Sequence, residues 1–321
     1  MAIDSPLIRL CSDATGMTAR EIIYIASTGP KRYKVYEIGK RKGGTRTICQ
    51  PSRELKAVQY FFLENVFNDA AVHPAAMAYE TGKSISLNAS EHADARVILK
   101  TDFEAFFPSI RANDWKAYVG QTYPGWNNDD LTFSLLTLFW GAGTQVPTCL
   151  SIGAPTSPKL SNMLLWQFDK EMSDYANENG YRYTRYADDV TVSSRDFLDF
   201  DRTMEAMRGI LRGLRYPKLK LNDGKTGLFS RKGRLQVTGL VLTNEGRVSL
   251  GRDRKRAISA MVHKHSVGSL PEHSHNELAG LLAFAQDVEP AFVGRLRRKY
   301  GIDVVSSAMA PAPQLPVLTL F

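Results

Sequence analysis

The chain has 321 residues, of which 43% are hydrophobic and 10% aromatic, enough to bury a core in one large domain or two closely joined ones and too much for disorder throughout. No stretch approaches the roughly 18 consecutive apolar residues of a membrane span, and Met1-Ala2-Ile3-Asp4-Ser5-Pro6 lacks the basic-then-apolar layout of a signal peptide, so a cytoplasmic protein with no membrane partner is expected. Lys and Arg number 41 against 33 Asp and Glu, but residues 208–264 alone hold 15 against 3, and Arg295, Arg297, Arg298 and Lys299 add to them; so concentrated a positive field suits a polyanion such as nucleic acid.

In chain order, residues 31–56 are basic, and Lys42-Gly43-Gly44-Thr45 reads as a hairpin turn between two short strands. Cys11, Cys49 and Cys149 form no Cys-x-x-Cys pair, which argues for reduced structural thiols. Helical spacing runs from Glu54 to about Phe67. Val97-Ile98-Leu99 is a buried strand that delivers Asp102 at its end, with Pro108 and Ser109 opening a helix. One helix is expected from Pro158 to Asn177. Two β-rich runs, Tyr181–Tyr186 and Val190–Ser194, flank Ala187-Asp188-Asp189 as a hairpin. A helix over Phe200–Leu214 and a strand near Lys218–Leu221 complete a β-α-α-ββ-α-β order, which fits an α+β fold with an antiparallel sheet and helices on one face. Arg234–Leu242 and Arg247–Leu250 read as a further hairpin, Arg252–His265 and Asn276–Tyr300 as helices, and the proline-bearing tail Ala308–Phe321 as extended or mobile.

Asp188 and Asp189 lie at a turn between strands that belong in a core, and Asp102 closes another strand. Turns commonly hold Asp. Turn chemistry, however, is served better by Asn-Gly or Asp-Gly than by two carboxylates that repel each other unless a cation neutralises them. Carboxylate oxygens are the hard ligands Mg²⁺ prefers, and a pair of such ions can activate a hydroxyl and stabilise a leaving oxygen in phosphoryl transfer. His263, His265, His273 and His275 invite a zinc reading, but no Cys lies near them and solvated residues are the better expectation.

Lys100-Thr101-Asp102-Phe103-Glu104-Ala105-Phe106-Phe107 resembles the first catalytic motif of reverse transcriptases, and Tyr186-Ala187-Asp188-Asp189 their Tyr-x-Asp-Asp box. Gly153-Ala154-Pro155-Thr156-Ser157-Pro158 between them and Asn222-Asp223-Gly224-Lys225-Thr226 after them complete the order. The resemblance covers roughly residues 40–250 and implies a right-hand polymerase. Its divisions would be an N-terminal region and fingers over 1–96, a palm with interleaved fingers elements over 97–235, and a palm–thumb junction, basic thumb and tail over 236–321. By the same resemblance, Asp102 and Asp188 would ligate two Mg²⁺ ions, with Asp189 beside them and the Phe103 carbonyl as a further ligand. Arg46, helped by Lys42, would grip the triphosphate of the incoming dNTP. Phe107 would sit under its sugar and exclude a 2′-hydroxyl, and Lys225 would protonate the leaving pyrophosphate. Ile152 departs from the Gln common in the family and removes a polar contact from the nucleotide pocket.

Asn88-Ala89-Ser90-Glu91-His92 and Val237-Thr238-Gly239 resemble signatures of bacterial retron reverse transcriptases, a resemblance that favours these over group II intron or diversity-generating relatives. Read without the resemblance, His92 fits a core histidine and Thr238-Gly239 the start of a strand. The resemblance implies a cognate noncoding RNA as template, priming from a guanosine 2′-hydroxyl, a branched msDNA product, and antiphage defence with a separate effector protein. Asn88, His92, Val237, Thr238 and Gly239, with Arg252, Arg254, Lys255 and Arg256 of the basic thumb, would contact RNA, whose A-form shape is read through phosphates and 2′-hydroxyls. An RNA-dependent RNA polymerase and a catalytically weak RNA-binding scaffold are the competing classes.

Overall fold

The computed structural model describes residues 5–39 and 43–310. Two helices open the chain, α1 (Pro6–Thr15) and α2 (Ala19–Thr28); the Ser5 hydroxyl caps the first, and Thr18 with Glu21 forms a capping box on the second. β1 (Tyr33–Gly39) and β2 (Thr45–Pro51) make the expected basic hairpin, with Arg46 opposite Ile38. Helix α3 (Arg53–Phe61) passes into a π-turn over Phe62–Val66. Then come α4 (Ile85–Ser90) and the expected strand β3 (Val97–Asp102).

Pro108 and Ser109 do not open a helix; they close the one-turn α5 (Phe106–Ser109), after which α6 (Ala112–Thr122) and α7 (Asn128–Leu138) follow. The helix expected over Pro158–Asn177 is two, α8 (Ser157–Leu164) and α9 (Trp166–Glu178), because Leu165 leaves helical geometry at ψ 5°. β4 (Arg182–Tyr186), β5 (Asp189–Ser194) and α10 (Phe200–Gly213) stand as expected. Lys218–Leu221 is not a strand: Leu221 makes one isolated bridge to Phe103, and the outer strand is β6 (Gly227–Ser230). The sheet order is β4-β5-β3-β6, with β5 antiparallel to both β4 and β3.

The Thr238-Gly239 turn divides the next expected strand into β7 (Gln236–Val237) and β8 (Leu240–Leu242), which β9 (Val248–Ser249) joins in a small antiparallel sheet. α11 (Arg252–Ser266) precedes α12 (His275–Val288) and α13 (Pro290–Tyr300), which replace the single helix expected over Asn276–Tyr300. Glu289 leaves helical geometry there, at ψ 69°, and Pro290 cannot continue a helix from the preceding turn. α14 (Ile302–Met309) takes in Ala308 and Met309, the first two residues of the segment read as a tail; 311–321 lie outside the described residues.

Contacts divide the chain into two compact units, Met1–Lys83 with Val97–Leu228, and Ser84–Arg96 with Phe229–Phe321. In this division α4 groups with the C-terminal part. The first unit has a continuous apolar core in which Phe62, Phe67, Phe133 and Trp115 lie ring against ring. In the second, α11–α14 pack together through Ile258, Val262, Leu278, Leu282, Val293 and Val305. Cys11, Cys49 and Cys149 are free and buried, and burial pushes the Cys11 thiol up to about 12. Among the described residues no helix is long and apolar enough to cross a membrane.

Candidate active site

The apolar run of β3 carries the chain through the core and leaves Asp102 at its end, directly opposite Asp189, the first residue of β5. Tyr186 pairs with the same Asp189 across the β4–β5 hairpin, so Ala187 and Asp188 are its two-residue loop. Ala187 has φ 57°, the left-handed sense that tight hairpins need and that a residue with a Cβ adopts at a cost. The Phe103 N–H donates to the Asp188 carbonyl at 3.2 Å, and the Asn222 N–H to the Asp102 carbonyl at 2.8 Å. Residues from three parts of the chain are thereby drawn to one sheet end.

The site is acidic and crowded. Asp102 is 4% exposed; its Oδ2 accepts a hydrogen bond from Lys225 Nζ, and its Oδ1 is buried with no hydrogen-bond partner among the described residues. Burial pushes Asp188 up, the Asp102 charge adding to it. Asp189 reaches solvent on one side, yet desolvation on the others and the Asp188 charge push it up to about 6. The hydrogen bond to Asp102 raises Lys225, which stays ionised. These groups fit a divalent cation: hard oxygen donors, mutual repulsion that a cation relieves, and one orphaned buried carboxylate oxygen. Among the described residues no three His, Cys, Asp or Glu side chains close into a metal cage, so water or substrate oxygens would have to complete the coordination.

The expected nucleotide-side residues lie in the same unit. The positive charge of Arg46, on β2, reaches Asp188 and opposes its upward shift. The Ile152 carbonyl accepts from the Cys49 N–H at 2.8 Å, and Ser151 Oγ donates to the Cys49 carbonyl at 3.2 Å, which ties β2 to the loop before α8. Gly153 has φ 119°, and a Cβ there would stand 3.1 Å from the Cys49 carbonyl oxygen, so the close approach requires glycine. Phe107 is half-buried, whereas Phe106 is core. Lys42 lies outside the described residues.

The residues expected to meet RNA come together in the second unit, with different roles. Thr238 and Gly239 both have positive φ, 46° and 78°, and join Val237 to Leu240 as a two-residue hairpin turn rather than starting a strand. The Thr238 hydroxyl donates to the Ile85 carbonyl at 3.0 Å, which ties the turn to the start of α4, the helix that carries Asn88. Asn88, His92 and Val237 are buried, while Gly239 is exposed. On α11, Arg252 and Arg256 are exposed. Lys255 is engaged by Glu289 and Ser249, each at 3.0 Å, and the Arg254 guanidinium lies over the Phe284 ring. Of the four histidines, His265 hydrogen-bonds Ser307 at 3.0 Å.

One part of the site was not anticipated. Arg185, wholly buried on β4, donates to Asp169 Oδ1 and Oδ2 at 2.8 and 2.6 Å, to Asn162 Oδ1 at 3.1 Å and to the Ala187 carbonyl at 3.0 Å. Tyr183 donates to the same Asp169 at 2.6 Å. This network holds the loop bearing Asp188 from beneath. The signal available in sequence was a charged residue at an inward β4 position and another among Leu165, Phe168 and Met172, on a buried helix face.

A sheet end bearing three carboxylates beside a basic hairpin is an arrangement for metal-dependent transfer of a nucleotidyl group to a hydroxyl. Residues 38–243 match the family described as reverse transcriptase (RNA-dependent DNA polymerase), and the chain is accordingly an RNA-directed DNA polymerase with the polymerase α+β fold, requiring an RNA template and a divalent metal. The Ec83 retron reverse transcriptase of Escherichia coli is 36% identical over 89% of this chain and 92% of its own. Those of retrons Ec73 and Ec86, also from E. coli, are 34% identical over 84% and 88% and 32% identical over 92% and 91%. The chain belongs to the retron reverse transcriptases.

Proposed function

We propose that this enzyme copies a segment of a structured noncoding RNA, primes from the 2′-hydroxyl of a guanosine in that RNA, and yields branched, RNA-linked single-stranded msDNA, in antiphage defence with a separate effector protein. The observation that carries the catalytic half is the convergence of Asp102, Asp188 and Asp189 around an unpartnered buried carboxylate oxygen. Asp102 and Asp188, with Asp189 and the Phe103 carbonyl, would hold two Mg²⁺ ions, an ion that commonly keeps waters and substrate phosphates in its shell. When bound, those ions supply Lewis-acid stabilisation of the attacking and leaving oxygens.

The chain's own groups do the rest. Arg46, with Lys42, binds the dNTP triphosphate, and the Ile152 side chain lines the pocket without a polar contact. Phe107 closes the space a ribose 2′-hydroxyl would need. Lys225, ionised beside Asp102, holds a proton for the departing pyrophosphate. In the second unit the exposed turn at Gly239 and the cations Arg252 and Arg256 meet the RNA backbone. Asn88, His92 and Val237 shape that surface from within, as do Arg254 and Lys255 through their internal partners.

Sequencing the nucleic acid that co-purifies with the protein tests the reading. A DNA strand joined to RNA through a 2′–5′ branch, lost from an Asp188→Asn protein, is the expected result. Unbranched host RNA alone would overturn it.

A further inference from the structure

We propose that Tyr79 is a positioning residue for sugar selection: its ring braces Phe107 from outside the core and fixes where that ring stands beside the nucleotide. The inference rests on the reading of Phe107 as the sugar gate.

Phe107 ends a row of rings that begins in the core. Phe168 meets Phe103 at 5.4 Å between centroids, Phe103 stacks on Phe106 at 5.7 Å, and Phe106 meets Phe107 at 5.2 Å. These contacts restrain Phe107 on its core side. Tyr79, from a distant segment, also meets Phe107, with centroids 6.4 Å apart and planes inclined at 39°.

Tyr79 is an unusual residue to find there. Its backbone is left-handed, φ 68°, a conformation a bulky side chain adopts only when its surroundings impose it. It is also 50% exposed, so burial of the ring does not explain the strain. The clamps lie on either side. Asn162, itself fully buried, donates to the Ala78 carbonyl at 2.9 Å and to Glu80 Oε1 at 3.0 Å; Lys159 holds the other Glu80 oxygen at 3.0 Å; the Met77 N–H donates to the Arg185 carbonyl at 2.8 Å.

Asn162 also accepts from Arg185, whose guanidinium holds the Ala187 carbonyl. One buried pair therefore sets both the loop carrying Asp188 and the segment carrying Tyr79. Such a link keeps the ring in register with the acidic groups, which is what a brace for a selectivity residue needs and an ordinary surface tyrosine does not. Burial and the Asp188 charge push the Tyr79 phenol up, so its hydroxyl is neutral and adds no charge to the pocket.

The experiment measures kcat/KM for rNTPs and dNTPs on one primed RNA, for Tyr79→Ala, Tyr79→Gly, Tyr79→Phe, Phe107→Ala and the double variant Tyr79→Ala with Phe107→Ala. Removing the Tyr79 ring should raise the rNTP-to-dNTP ratio by about tenfold, the low end of what pocket sterics supply. Glycine adopts the left-handed backbone freely, so Tyr79→Gly serves if the alanine variant folds poorly. Tyr79→Phe should keep the wild-type ratio, and the double variant should be no more permissive than Phe107→Ala alone, because the brace acts through Phe107. A changed ratio in Phe107→Ala with an unchanged one in both ring-removal variants would overturn the brace and leave the gate standing. An unchanged ratio in Phe107→Ala would overturn the gate, and the brace with it. Additive effects in the double variant would make Tyr79 an independent contact and reject the bracing.

Discussion

Arg185 grips Asp169 with two parallel hydrogen bonds, at 2.8 and 2.6 Å, in a place where neither side chain touches solvent. Removing one member of such a pair strands the other charge in the core. Asp169→Asn should therefore lower the stability of the first unit by about 3 to 5 kcal/mol, measured by denaturant unfolding. A loss below about 0.5 kcal/mol, the range of ordinary surface changes, would contradict the assignment.

The second unit contains a carboxylate with a pH signature. Burial alone would raise Glu289, but hydrogen bonds from Lys255, Ser249 and the Leu250 N–H outweigh it and hold the group below the usual carboxylate range. A depressed folded pKa means stability that is fully present above the unfolded value, about 4.3 for Glu, and is lost as pH falls through the folded one. The stability difference between wild type and Glu289→Gln should be largest near neutrality and shrink steadily in acid. A difference that stays constant as pH falls, or grows, would show that Glu289 is not held as an anion.

The turn at Thr238-Gly239 separates recognition from scaffolding. Gly239→Ala places a Cβ at φ 78° on an exposed turn with open space around it, so the change is felt chiefly through the turn's shape. Priming on the cognate RNA should fall more than extension of an artificial annealed primer. Equal losses on both substrates would make the turn a support for α4 through the Thr238–Ile85 hydrogen bond and nothing more.

Ile152 is anchored by its backbone to Cys49, so its side chain can change without moving β2. Ile152→Gln should alter the KM for dNTPs modestly, since a new hydrogen bond is worth roughly 0.5 to 1.5 kcal/mol net and an unpartnered amide costs as much. Steady-state incorporation on one primed RNA checks this. Barely detectable wild-type synthesis with a large gain from Gln would indicate a polymerase weakened at this position.

The carboxylates were legible because their surroundings are simple. Val97-Ile98-Leu99 can hardly be other than a buried strand, and two β-rich runs four residues apart force a hairpin at Ala187-Asp188. Helix ends were harder: Leu165 interrupts apolar periodicity through backbone angles that its residue type does not announce, whereas the break at Glu289 is signalled by the Pro290 that follows it. Lys218–Leu221 alternates like a strand yet makes one isolated bridge, Leu221 to Phe103, while the Lys220 carbonyl accepts from the Glu104 N–H. The meeting of Thr238 with Ile85, of Arg185 with Asp169 and of Tyr79 with Phe107 joins residues whose separation in sequence carries no periodic signal. Only the fold brings them together.

Asp102 and Asp188 carry the central claim, and replacing either by Asn removes one charge while keeping shape. With dNTPs and a Mg²⁺ series on a primed cognate RNA, each variant should make no DNA at any metal concentration, while RNA affinity in a filter-binding assay stays near wild type. Full synthesis by Asp188→Asn, or loss of RNA binding together with synthesis, would contradict the account.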